Sequence, residues 1–203
     1  MKPFSILIAA LAAIALLAGC LPAQGQSFFK SKKLSPSHTY TFESLPQNLD
    51  ELQALPEADL KDPYAVAALT LAALTRYRDN IDDCLEMLDW LKGPESLSSN
   101  EILFLRERLR GKEYKPFSFF KGATPDNNYT PSKPYKVTIQ SNQYTFQTDG
   151  SGKEWAAMLV TSGGADNPRY IKLRQKKSTG QWFLNDIQCL SDIRIPAEED
   201  PWN

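Results

Sequence analysis

The sequence predicts an α+β fold, with N-terminal helices packed on a C-terminal antiparallel β-meander. The first observation is that apolar residues recur every three or four positions between residues 45 and 112, as they do in amphipathic helices. The second is that apolar and polar residues alternate after Pro134, in short runs separated by turn residues, as they do in strands. An order in which helices precede strands, without βαβ alternation, is typical of α+β domains.

Residues 1–19 are predicted to be a signal peptide. Lys2 supplies a positive charge, and an apolar run from residue 4 to residue 17 has the length of a secretion signal rather than of a membrane span. The run ends in the sequence LAGC at residues 17–20, which resembles the bacterial lipobox. The alternatives are an ordinary cleaved signal beside a fortuitous cysteine, and an uncleaved anchor.

Cys20 is the predicted lipidation site, because its thiol would accept a diacylglycerol and its amine would become the new N-terminus. Two acyl chains hold a protein on a membrane durably, whereas one chain binds only marginally. We therefore expect a lipid anchor on the extracytoplasmic face of the cell membrane. Residues 20–37 are small, polar and proline-containing, which predicts a flexible lipidated tether.

A single domain is expected from residue 38 to residue 203. It comprises a helical part (45–112), an aromatic and proline-rich loop (113–134) and the β-meander (135–195). In the helical part, the Asp-Pro pair at residues 62–63 predicts a helix start, since a carboxylate caps well and proline suits the first helical position. Residues 79–80 are expected to break the long stretch and cap a new helix, and Ser98 and Glu101 have capping-box spacing.

The loop at residues 113–134 shows no periodicity, although it is rich in aromatic side chains. Structureless loops of this length are uncommon inside compact domains and are often functional. The alternative is that the aromatic residues fasten the loop to the core. They are Tyr114, Phe117, Phe119, Phe120 and Tyr129.

Five strands are expected in the β-meander. Residues 141–142 would form a two-residue hairpin turn between the first two. The basic run at residues 172–177 alternates with apolar residues and is interpreted as the solvent-facing side of a strand. The expected strands cover residues 135–140, 143–148, 155–162, 169–175 and 181–190.

Charge and residue counts exclude several classes of function. The net charge is −1 and the charges are interspersed, which argues against a nucleic-acid binder. The chain has one histidine, His38, so multi-histidine zinc sites are impossible and a Ser–His or Cys–His nucleophile has no base. The acidic clusters lack the spacing of a calcium loop, and neither a metal nor a cofactor is expected. Cys84 and Cys189 are either a disulfide or two buried free thiols.

The loop at residues 162–169 is the strongest candidate for a binding surface. Its two glycines permit close approach of a ligand, and Asp166 and Arg169 offer opposite charges. Together with Asn128 and Tyr129 of the aromatic loop, these residues form the predicted ligand- or partner-binding surface. The alternative is a hairpin loop closed by a contact between Asp166 and Arg169.

Six stretches of the sequence resemble a family of bacterial lipoproteins known only as a domain of unknown function, which is common in gut-associated Bacillota. Together they span most of residues 40–203. The resemblance implies no catalytic residues, because the family has no assigned activity. The order of helices and strands also loosely resembles the NTF2-like cone. The stretches are DPYAVAAL (62–69), LKGP (91–94), PDNNYTP (125–131), SGGADNPR (162–169), GQWFL (180–184) and DPW (200–202).

These observations favour a non-enzymatic cell-envelope lipoprotein that binds an unknown protein or small molecule. One alternative is a hydrolase that acts on cell-wall polymers through a pair of carboxylates, which would lie about 5–9 Å apart. A further alternative is a purely structural assembly factor.

Overall fold

A computed structural model describes residues 37–202 and confirms the α+β fold. The helices within this range are α1 (Leu49–Gln53), α2 (Pro63–Thr75), α3 (Ile81–Lys92) and α4 (Ser99–Leu109). The strands are β1 (Ser37–Phe42), β2 (Tyr135–Gln140), β3 (Phe146–Thr148), β4 (Glu154–Val160), β5 (Arg169–Lys176) and β6 (Gln181–Ile187). The predicted signal peptide, Cys20 and nearly all of the tether lie outside the described residues.

The strands form one antiparallel sheet in the order β1-β2-β4-β5-β6, and β3 pairs with the free half of β4. The β1 strand precedes all of the described helices in the chain. This strand pairs along its whole length with β2, from Ser37 opposite Gln140 to Phe42 opposite Tyr135. The first strand of the domain therefore completes a sheet whose other members follow the helices.

The hairpin predicted at residues 141–142 is wrong. The β2 strand does not pair with β3 but only with the end of β4, through Ile139 opposite Val160 and Gln140 opposite Leu159. Asn142 and Thr145 hold a wider turn instead: the Asn142 amide donates to Thr145 Oγ1 at 2.8 Å, and the Thr145 amide donates to the Asn142 carbonyl at 3.1 Å. These local bonds compete with a tight hairpin turn.

The α2 helix is the centre of the core, and all thirteen of its residues are buried. It contacts the sheet through β2, β4 and β6, and it contacts α3 as well. A helix that is apolar all round is stable only when it is enclosed in this way. The hydrogen-bonding potential of its polar side chains is met locally, since the hydroxyl of Thr70 donates to the carbonyl of Val66 at 2.8 Å.

The helix boundaries predicted from local sequence are confirmed. Pro63 is the first residue of α2, and the side chain of Asp62 caps the helix by accepting from the Tyr64 amide. The side chain of Asn80 accepts from two amides at the start of α3. Ser98 and Glu101 form the complete capping box of α4.

The aromatic loop is fastened to the core. Phe117, Phe119, Phe120 and Tyr129 are all buried, and the ring of Tyr114 stacks on that of Tyr129 with centroids 5.0 Å apart. The chain in this loop forms two short 3-10 turns at Lys115–Phe119 and Pro125–Asn127. The interpretation that the aromatic side chains anchor the loop therefore describes the structure.

The hydrophobic core is built from residues between Tyr40 and Ile193. A region with a core of its own is expected to fold alone, so a fragment covering residues 35–203 is suitable for experiments. Among the described helices, none is long and apolar enough to cross a membrane.

Candidate functional site

Tyr129, the central residue of the predicted binding surface, is buried. Its hydroxyl donates to the carbonyl of Arg194 at 2.7 Å, and burial raises its pKa to about 12. Asn128 and Tyr129 both have left-handed backbone conformations, with φ of 52° and 53°. Asparagine tolerates this region but tyrosine rarely adopts it, so the packing around Tyr129 holds it there. The side chain is a structural anchor.

The two glycines of the loop at residues 162–169 make room for the aromatic loop rather than for a ligand. A β-carbon on Gly164 would overlap the hydroxyl of Tyr129, and one on Gly163 would overlap the carbonyl of Ala123. The Gly163 amide also donates to the carbonyl of Ser118 at 2.8 Å. The close approach that these glycines permit is therefore between two segments of the same chain.

Asp166 and Arg169 do not contact each other, and the closed hairpin expected between them is wrong. Asp166 forms an ion pair with Arg194, while Arg169 donates from Nη2 to the carbonyl of Asp192 at 2.6 Å. The reason is that the amide of Arg194 bonds to the carbonyl of Gly164 at 2.9 Å, which brings the later segment between the two side chains. Three of the predicted residues, Tyr129, Asp166 and Arg169, are thus joined through residues 192–194. None of the four predicted residues lines a cavity described below.

Cys84 and Cys189 are free and buried in the structure. Burial raises the pKa of each thiol to about 12. No disulfide joins these two cysteines in the structure, and their state in the cell stays a prediction.

A cavity of about 270 Å³ lies where the end of α3, the turn before β4, and the strands β5 and β6 meet. We call it the basic cavity, because five cationic side chains and a single carboxylate, that of Glu95, line it. Its wall also includes the ring of Phe183, against which Gly93 packs so closely that a β-carbon would overlap it. The cationic side chains are those of Lys92, Lys153, Arg174, Lys176 and Lys177.

Two contacts fix the position of Arg174 in the basic cavity. Its Nη1 lies 2.8 Å from Glu95 Oε1, and its guanidinium carbon lies 5.5 Å from the ring centroid of Trp155. Trp155, Arg174 and Phe183 are partners in the registers of β4, β5 and β6, so their side chains lie on the same face of the sheet.

The turn that carries Lys153 is held by Asp149. One carboxylate oxygen accepts from the hydroxyl and the amide of Ser151 and from the amide of Lys153, and the other accepts from Trp155 Nε1 at 3.2 Å. These bonds, the one from the Ser151 hydroxyl first, hold the pKa of Asp149 well below its usual range. The ordered turn places the Lys153 backbone at the edge of the basic cavity.

A second cavity, of about 180 Å³, adjoins the first between α4 and β6. We call it the apolar cavity, because most of its exposed lining is apolar, although the carboxylates of Glu101 and Asp186 also border it. Its apolar lining consists of Leu97, Phe104, Leu105, Leu184 and Ile187. Lys92, Leu184 and Asn185 line both cavities.

Lys92 is buried at the boundary between the two cavities and forms an ion pair with Glu101. Partial burial alone would raise the pKa of Glu101, but hydrogen bonds from Lys92 and Ser98 outweigh this effect and lower the pKa. The ammonium of Lys92 is therefore neutralised by a charged carboxylate next to the apolar lining.

The third cavity is a polar cleft of about 470 Å³. It contains the carboxylates of Glu43, Glu51 and Asp79 beside three cationic side chains, so the two signs of charge are balanced. Those cations are Arg76, Arg78 and Lys133. Within residues 37–202, no group of three or more histidine, cysteine, aspartate or glutamate side chains could hold a metal ion.

Residues 44–197 match a family model described as a domain of unknown function, DUF6935. The chain belongs to this family. The basic and apolar cavities lie wholly within the DUF6935 region, as do Asn128, Tyr129, Asp166 and Arg169. No curated protein and no solved structure matches the chain. The bacterial origin, the lipid anchor and the likeness to an NTF2-like cone stay predictions.

The basic cavity was not predicted from the sequence. The run at residues 172–177 was interpreted as the solvent-facing side of a strand, and Arg174 and Lys176 do lie on β5. Lys92 and Lys153 come from distant parts of the DUF6935 region and meet this strand only in the folded chain. The clustering of cations in residues 172–177 was the one signal available.

Proposed function

We propose that the protein is a lipid-anchored, extracytoplasmic and non-enzymatic binding module whose ligand is an anion held in the basic cavity. The observation that supports this most strongly is the contrast in charge. Five cations and one carboxylate line this cavity, although the chain as a whole carries a net charge of −1. Lys92 and Arg174 are paired with carboxylates, and the other three cations form no ion pair among the described residues. A concave site lined by one sign of charge concentrates ligands of the opposite sign.

The side chains in the basic cavity are suited to binding rather than to catalysis. Lysine and arginine donate hydrogen bonds and do not accept them, so they match phosphate, sulfate or carboxylate oxygens. The histidine of the chain, His38, is exposed on β1 and stacks on Tyr40 with centroids 4.6 Å apart. It therefore lies outside the basic cavity and supplies no base there.

A thermal-shift titration of residues 35–203 with sodium phosphate and sodium sulfate tests this function. A ligand that binds only the folded state should raise the melting midpoint by about 5–10 °C at one hundred times its Kd. The ionic strength is held constant with sodium chloride, because charge interactions at a surface are screened by salt.

A pair of double variants separates binding in the cavity from general salt effects. Sulfate and phosphate also stabilise proteins by exclusion from the surface. Lys176→Ala with Lys177→Ala should therefore lose the saturable part of the shift, and Lys112→Ala with Lys121→Ala should keep it. All four lysines are exposed, and the second pair lines none of the three cavities. Equal shifts in both variants would refute the proposed site.

The lipid anchor is tested separately in cells. The full chain should incorporate labelled palmitate and partition into the detergent phase, and Cys20→Ser should abolish both. Unchanged labelling of the Cys20→Ser variant would place the lipid elsewhere and contradict the proposed anchor.

A wall-polymer hydrolase is the second candidate, because three carboxylates share the polar cleft. Two of them already have partners: Glu51 accepts from the Gln47 amide at 2.9 Å, and Asp79 accepts from Arg78 Nε at 3.3 Å. Glu43 is the remaining candidate acid. If purified protein releases reducing ends from wall polymers and Glu43→Gln abolishes the release, the hydrolase replaces the binding module.

A further inference from the structure

We infer that the ligand is a single-chain anionic amphiphile, with its head group in the basic cavity and a short alkyl chain in the apolar cavity. This inference rests on the proposed function and narrows its ligand class. It follows from the juxtaposition of the two cavities, one cationic and one apolar, along the same strand.

The two cavities adjoin across a common wall. Lys92, Leu184 and Asn185 line both of them. A ligand that enters one cavity therefore meets residues that also border the other. Phosphate alone would occupy the basic cavity and leave the apolar lining exposed to water, whereas an alkyl carboxylate or alkyl phosphate would cover both surfaces.

The ion pair between Lys92 and Glu101, at the wall that the two cavities share, determines which cavity receives the charged head group. Lys92 is bound to Glu101, so its ammonium is neutralised where it borders the apolar lining. On the other side, Lys153, Lys176 and Lys177 form no ion pair with a carboxylate of the described residues. The head group is therefore drawn to those three lysines, and the chain extends towards Leu97 and Phe104.

The volume of the apolar cavity limits the length of the alkyl chain. About 180 Å³ accommodates roughly six groups of the size of a methylene or a water molecule, at about 30 Å³ each. This space is too small for the two chains of a membrane phospholipid. The inferred ligand is therefore a free amphiphile with about six carbons in the apolar cavity, such as octanoate, rather than a lipid of the bilayer surface.

The test is a calorimetric titration of residues 35–203 with sodium acetate, butyrate, hexanoate, octanoate and decanoate. Affinity should rise about fourfold for each added methylene until the cavity is filled, and then level off. Octanol, which has the chain without the charge, should bind at least tenfold more weakly than octanoate. Vesicles of phosphatidylglycerol, which offer anionic head groups on long chains, should bind no more than vesicles of phosphatidylcholine.

Two matched substitutions locate the alkyl chain. Asn100 is exposed and lines the apolar cavity, so Asn100→Trp should fill its mouth and flatten the chain-length series while leaving phosphate binding unchanged. Asn167 is also exposed but lines none of the three cavities, and Asn167→Trp should behave as wild type. The wild-type series itself decides the matter if a variant fails to fold.

Each remaining outcome has a definite meaning. Phosphate binding without any dependence on chain length overturns the amphiphile and leaves the proposed function standing. Octanol binding as tightly as octanoate, or preferential binding to anionic vesicles, also overturns the inference. Absence of binding by every anion, phosphate included, refutes the proposed function itself.

Discussion

Gly164 lies directly against the hydroxyl of Tyr129, so closely that a β-carbon at residue 164 would overlap it. That hydroxyl donates to the carbonyl of Arg194, and the Arg194 amide donates in turn to the carbonyl of Gly164 at 2.9 Å. Three segments far apart in sequence are thereby locked together. Tyr129 and the loop at residues 162–169, which the sequence predicts to be part of a binding surface, thus form a packed contact with the segment around Arg194.

Gly164→Ala is expected to lower the free energy of unfolding by about 1–3 kcal/mol, the usual cost of inserting a methyl group into a packed site. Gly150→Ala is the matched control, because a β-carbon there meets open space. It should be neutral or stabilise by up to about 1 kcal/mol. Urea denaturation followed by circular dichroism measures both, and equal stability of the two variants would contradict the close packing of Gly164.

Local sequence signals predicted the helix boundaries well. Ser98 with Glu101, Asn80 before two acidic residues, and the Asp-Pro pair at 62–63 each concern atoms a few residues apart. Their energetics are complete within one turn of helix, so no knowledge of the remaining chain is needed.

Non-local pairing could not be predicted in the same way. Thr39 pairs with Thr138, which lies 99 positions later in the sequence, and their hydroxyls lie 2.8 Å apart. Nothing in the alternation of either strand specifies that partner. The basic cavity has the same origin, since Lys92 and Arg174 become neighbours only through the fold. The alternation of apolar and polar residues predicts which side chains of a strand share a face, but not which strand lies beside it.

Ser98→Ala should lower the free energy of unfolding by about 1 kcal/mol, because the hydroxyl caps α4. Ser99→Ala changes an exposed neighbour that forms no side-chain bond in the described structure, and it should cost less than about 0.5 kcal/mol. Thermal denaturation of both variants measures the difference. A loss of stability of equal size in the two variants would mean that the capping box contributes little.

Cys84 and Cys189 should resist thiol reagents in folded residues 35–203. The reactive species is the thiolate, and burial both raises the pKa of each thiol to about 12 and blocks access. Titration with Ellman's reagent should therefore find almost no thiol before unfolding in guanidinium chloride and two after it. No thiol after unfolding without reductant would reveal a disulfide instead.

Lys115 is a buried lysine whose ammonium donates to the carbonyl of Leu190 at 3.0 Å. Burial lowers its pKa, helped by the positive charges of Lys112 and Arg108 and opposed by Asp192. The folded state therefore releases this proton at a lower pH than the unfolded chain, where the ordinary value is 10.5. Between the two pKa values the unfolded chain binds more protons, so this residue makes the protein more stable as the pH rises.

Lys115→Met should remove that contribution. At pH 7 the variant is expected to lie within about 1 kcal/mol of wild type, because losing a buried charge and losing the bond to Leu190 have opposite effects. As the pH rises towards 10.5, wild type should gain on the variant by at most about 1.4 kcal/mol per pH unit. The difference between the two proteins is the quantity to measure. Buried tyrosine and cysteine side chains with raised pKa values make both proteins less stable over the upper part of that range.

Lys121→Met, which changes an exposed lysine, is the control, and its stability should run parallel to that of wild type at every pH. Parallel curves for Lys115→Met and wild type would mean that the ammonium is as well solvated in the fold as in the unfolded chain.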